Sequence, residues 1–264
     1  MESSPSNKHP VNPDELPFVA PCKLLDTWAA FRWLRAGWED IKRAPKQSLT
    51  YGGIMLLISY FISGVTLLVG DGDVYLFAAM LSGFVLMGPV LAIGLYSISC
   101  QLQKNIPPVL GYCLREGRRH LGNEIIFAAI LLIVFLIWAR AAAMLHVFFP
   151  VQAHPAWQDL VVFLGIGSAV GAIFATIIFS TAAFSLPMIM DKKVDMVTAI
   201  VTSVNAVLRN KLPMFIWGCI IVGSVVIGFL TAFIGLAILL PLIGHATWHA
   251  YQETIDASQW PDHD

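Results

Sequence analysis

The sequence predicts an all-α protein: a polytopic transmembrane helix bundle of six spans, arranged as three repeats of an amphipathic helix followed by a hairpin. Three observations carry this. Residues 48–70, 74–99, 124–149, 160–190 and 213–244 are nearly charge-free, and each exceeds the roughly 20 residues that cross about 30 Å of hydrocarbon. The composition, 57% apolar and 12% charged with a mean hydropathy of +0.73, gives more apolar surface than a water-soluble domain covers. Lys and Arg fall only in alternate gaps between the stretches, Arg140 excepted: seven in the first 47 residues, four in 100–123, four in 191–212, and none in 70–73 or 150–159.

Basic residues are retained on the cytoplasmic side, so the chain is expected in a bacterial inner membrane with its N-terminus and the three basic segments inside. Residues 1–22 are polar and Pro-rich with no apolar h-region, which reads as a disordered cytoplasmic tail and not a signal peptide. Residues 23–252 form one transmembrane domain, with units near 23–104, 105–192 and 193–252, and 253–264 read as a polar C-terminal tail. Cys22, Cys100 and Cys113 map to the reducing side and Cys219 to a span, so free thiols are expected. No basic patch is interleaved with aromatics, and nucleic-acid binding is not expected.

Each unit opens on a helix suited to the membrane surface. In the first, Leu24, Trp28, Phe31, Leu34, Trp38 and Ile41 recur at spacings of three and four, the period of an apolar helix stripe. Asp26, Arg32, Asp40 and Arg43 fall elsewhere on the wheel. The second, opening at Pro107 and Pro108 with Leu110, Tyr112 and Leu114, is shorter. In the third, Val197, Ile200, Val204 and Val207 form the stripe, with Asp195 suited to the helix start and Arg209 and Lys211 to its end. Such helices either sense lipid or a partner, or pack along the bilayer surface and connect hairpins.

Aligned without gaps from residues 36, 112 and 202, the units place Arg43, Arg119 and Arg209 together, then Tyr51, Phe127 and Trp217, then Gly52, Ala128 and Gly218. A cation at the headgroups, a ring just inside and a small residue against a neighbour make a coherent way into the membrane. The repeat also bears on residues 213–248, which as one helix would extend about 54 Å. A turn near Leu230 to Gly235 makes this a third hairpin with both termini inside; the alternative is one tilted helix with the C-terminus outside.

Polar groups within spans are the natural functional candidates. Arg140 lies about 25 Å along a helix from Asn123, where it anchors by snorkelling, or serves an ion path if Asp71, Asp73 or Asp159 pairs with it. His245 and His249, four residues apart, share a helix face and are candidate ligands for a metal or haem iron, with Cys100 and Asp191 as further donors. Their other reading, with Trp248 and Tyr251, is an interfacial belt. Pro89, Pro187 and Pro241 sit late in the second helices as candidate kinks or hinges. Gly165, Gly167 and Gly171 permit close helix approach. No nucleotide loop, nucleophile elbow, HExxH or CxxC motif occurs, so no catalytic apparatus or resident cofactor is expected.

The segments AFRWLRAGWEDI, GPVLAIGLY and GHATWHAY resemble the bacterial family of predicted integral-membrane proteins called domain of unknown function 2189, over most of the chain after about Pro17. The resemblance implies a multi-pass membrane protein and brings no biochemical role. The expected function is a membrane scaffold or a channel- or transporter-like module, with the lipid bilayer and a membrane protein or second copy as partners. A metal- or haem-binding redox accessory using His245 and His249 is the alternative.

Overall fold

The computed structural model describes residues 17–69, 80, 92–109, 111, 121–148 and 157–262. Among them the regular elements are helices: α1 (Ala29–Arg43), α2 (Pro45–Val69), α3 (Ile93–Gln103), α4 (Leu121–Phe148), α5 (Trp157–Ala182), α6 (Ser185–Asp191), α7 (Met196–Arg209), α8 (Lys211–Leu230) and α9 (Leu236–Thr254). Length and apolar composition suffice to cross a membrane in Pro45–Val65, in Val161–Asp191 through α5 and α6, and in Lys211–Leu230. Ala129–Met144 and Met196–Arg209 are shorter apolar helices.

Local chemistry sets the helix ends. Lys42 and Arg43 occupy the last turn of α1, where cations meet the partial negative charge of the terminal carbonyls. The Asp195 carboxylate caps α7 by accepting from the Thr198 amide at 2.9 Å. The long apolar segment after residue 213 breaks at Thr231–Gly235, so it is not one helix. Gly235 is not the left-handed residue of this turn: Ala232 and Phe233 are, at φ 50° and 68°. The Tyr60 hydroxyl donates to the Ala232 carbonyl at 2.7 Å, and the Phe233 ring meets Tyr60 and Phe229 edge-on, fixing a conformation that costs non-glycine residues roughly 1–2 kcal/mol each.

The main core gathers α1, α6, α7, the first half of α3 and the second half of α9 with one end each of α4, α5 and α8, around Trp33, Phe184, Trp217, Trp248 and Tyr251. Of the stripe predicted for α1, Trp28, Phe31 and Trp38 are exposed, the side an interfacial helix turns to lipid, while Leu34 is half-buried and Ile41 packs inward with Ala30, Trp33, Gly37 and Asp40. Gly37 permits this contact, because a Cβ there would stand 2.8 Å from the Ala246 nitrogen and 2.9 Å from the Leu242 oxygen of α9. On α7, Val197 of the predicted stripe is exposed and Ile200 and Val204 are half-buried, while Val207 is buried with Ala199, Thr202, Ser203 and Ala206.

Other expectations are corrected. Phe127 and Trp217 are buried rather than at an interface; Trp217 meets Trp33 edge-to-face at 5.6 Å, which holds α8 on α1. Nothing lies within 4 Å of a Cβ added to Gly165, Gly167 or Gly171, so among the described residues no helix uses that close approach. Residues 17–22 and 253–262 are not free tails. Ala20, Ile255, Ala257 and Trp260 are buried, the Lys23 amide donates to the Thr254 carbonyl at 2.8 Å, and the Asp256 amide to that of Pro21 at 2.9 Å. Backbone pairing with buried apolar side chains outweighs the polar composition that suggested tails.

Candidate functional site

Four helices bring polar side chains together where α1, α2, α3 and α9 meet, just past the end of the last apolar stretch. Asp40 comes from the inward face of α1, Ser48 from the first turn of α2, Ser99 from α3, and His245 and His249 from successive turns of α9. Ser48, Ser99 and His245 are fully buried.

Distances define a continuous chain. Ser48 Oγ lies 2.9 Å from His245 Nε2, and His245 Nδ1 lies 2.7 Å from Ser99 Oγ. Ser99 donates to Asp40 Oδ2 at 2.7 Å, and His249 Nε2 lies 2.8 Å from the same oxygen. A carboxylate only accepts, so Ser99 and His249 donate to Asp40 and His245 Nδ1–H donates to Ser99; the neutral imidazole then accepts from Ser48 at Nε2. The tautomer of His245 follows from that network. Gln103 extends the chain, 3.4 Å from His249 Nδ1 and accepting from the Trp248 indole at 2.9 Å. His245 is a buried polar group with both ring nitrogens satisfied.

Further contacts fasten α1 to α9. Glu253 accepts from the Trp33 indole at 2.7 Å and from Arg32 at 2.5 Å. The Arg43 guanidinium donates to the Leu102 carbonyl at the end of α3, at 3.1 Å. On another side of α9, Asp191 accepts from the Tyr251 hydroxyl at 2.9 Å. Cys100 next to Lys104 raises that ammonium.

The sequence-derived candidates divide accordingly. His245 and His249 share a face as the spacing requires, and both reach Asp40, one through Ser99. Cys100 and Asp191 gather around Tyr251 instead, and among the described residues no three His, Cys, Asp or Glu side chains are grouped to hold a metal. Trp248 and Tyr251 are buried, not part of an interfacial belt. Arg140 is exposed on α4; Asp71 and Asp73 lie outside the described residues, as does the side chain of Asp159. Pro89 also lies outside them. Pro187 occupies the first turn of α6, after the break at Ala183–Phe184, where its missing N–H costs little.

Pro241 lies inside α9 and leaves the Ala237 carbonyl without its helical donor. The backbone of α2 covers that carbonyl: a Cβ on Gly52 would fall 1.9 Å from it. Sequence reasoning missed Asp40, Ser48 and Ser99. The available signal was the acid on the Trp33–Gly37–Asp40 face of α1, opposite the aromatic stripe.

Residues 76–191 match the model of the family described as predicted integral membrane protein (DUF2189), and the chain is an integral membrane protein. Of the three resembling segments only GPVLAIGLY falls inside the matched range. Searches of the curated proteins and of the solved structures find no match.

Proposed function

We propose that this integral membrane protein is a six-span scaffold of the bacterial inner membrane, built from three units of amphipathic helix plus hairpin. Its N-terminus is cytoplasmic, and it catalyses no reaction. The observation that carries the reading is the separation of its two parts. The polar chain and the aromatic core lock helix ends into one body, whereas the most apolar window of Val161–Asp191 has no buried residue. Apolar helices so little covered by their own chain have sides left for lipid, a second copy or another membrane protein.

The one-sided distribution of Lys and Arg supports the orientation. So does the contact of one basic segment with another, Arg43 with the end of α3, and the pairing of Lys192 with Asp262 of the C-terminal segment. A scaffold is favoured over a solute path because the freed Ala237 carbonyl is covered by Gly52 instead of facing a cavity, and the buried polar groups satisfy one another.

Two measurements test this. Protein reconstituted in liposomes is expected to give no flux across a broad solute panel, and photo-crosslinkers replacing Ile173 or Ile177 on the exposed side of α5 to give discrete protein adducts in native membranes. Protein-dependent flux, with only lipid adducts from α5, replaces the scaffold with a channel or transporter.

A further inference from the structure

We propose that the corner between α1 and α2 is a binding site for one anionic phospholipid, its phosphate held at Lys46 and an acyl chain laid along the outer side of α2. The site rests on the reading that α2 enters the membrane at its basic end.

At that corner is an open groove of about 520 Å³ lined by Pro45, Lys46, Leu49 and Thr50. Its composition is that of a headgroup and glycerol site, with a cation and a hydroxyl beside two apolar side chains. From it an outward track descends α2. Leu49, Leu57 and Phe61 are exposed at 46%, 69% and 70%, and between them a Cβ on Gly53 would meet nothing within 4 Å. Lys46, Leu49, Gly53, Leu57 and Phe61 follow the three- and four-residue steps of one helix face. The apolar part of the track, from Leu49 to Phe61, is about 18 Å long at 1.5 Å per residue, close to the roughly 15 Å of hydrocarbon in one leaflet. Gly53 opens a slot in an otherwise continuous apolar ridge.

Charge selects the headgroup. Arg35 and Lys42 lie on the outer side of α1 beside Phe31 and Trp38, and both are exposed; Lys42 pairs with Glu39 at 3.4 Å, while Arg32 is engaged by Asp26 and Glu253. Lys46, in the first turn of α2, is exposed at the groove itself. Cations at the membrane boundary above an apolar track favour an anionic over a zwitterionic lipid.

The test is native mass spectrometry of the full chain released from detergent with added phosphatidylglycerol or phosphatidylcholine. One phosphatidylglycerol is expected to be retained preferentially. Lys46→Gln is expected to weaken retention about fivefold, the effect of one cation near an anionic surface, and Lys211→Gln, at the start of α8, to leave it unchanged. Gly53→Leu fills the slot and is expected to release the lipid without changing the thermal midpoint, and inorganic phosphate is expected not to compete. Equal retention of both lipids, equal loss with Lys211→Gln, unchanged binding by Gly53→Leu, or competition by phosphate overturns the proposal. A chain that stays soluble without detergent overturns the membrane reading instead.

Discussion

Gly37 of α1 lies against Ala246 of α9 so closely that a β-carbon at residue 37 would stand 2.8 Å from the Ala246 backbone nitrogen. Both flanking atoms are main chain, so neither yields by a rotamer change. Gly37→Ala is expected to lose about 1–3 kcal/mol, as overpacking in a tight contact does. Gly165→Ala, with nothing within 4 Å, is expected to be neutral or to gain up to about 1 kcal/mol from helix propensity. Thermal unfolding of both variants in one detergent checks this; equal effects would show that the α1–α9 contact is loose.

Ser48 and Ser99 occupy both ring nitrogens of His245, and a metal at this histidine would have to displace one of them. Protein purified in mild detergent is expected to be colourless and to hold less than one equivalent of zinc, iron or copper. A stoichiometric metal, or a haem spectrum lost in His245→Gln, would restore the redox-accessory alternative. Ser99→Ala separates the structural role: removing the hydroxyl leaves Nδ1–H buried without its acceptor and is expected to cost about 1–3 kcal/mol.

The two sides of α1 predict its depth in the membrane. Spin labels at positions 31 and 38, on the aromatic side, are expected to sit deeper in a bilayer than labels at 36 and 39, which fall roughly 80–140° round the helix. Paramagnetic relaxation by a lipid-soluble and a water-soluble reagent reads the difference. Equal water access at all four positions would place α1 away from the bilayer.

The apolar stretches were legible in the sequence because length and charge depletion are properties of a linear segment, and the bilayer responds to them one span at a time. The break near residues 230–235 followed from length as well, since one helix over 213–248 overshoots the hydrocarbon. Helical spacing placed His245 and His249 on a common face. Which face of α1 turns inward was a tertiary decision: the aromatic stripe satisfied the periodicity, but the small residues around Gly37 permit backbone approach, and Trp33 finds Trp217 and Glu253 only when α8 and α9 are in place. Asp40, Ser48, Ser99 and His245 come from four helices, and His245 lies 197 residues from Ser48. A buried polar group becomes stable only when its partners arrive from elsewhere in the chain, so no local pattern announces such a network.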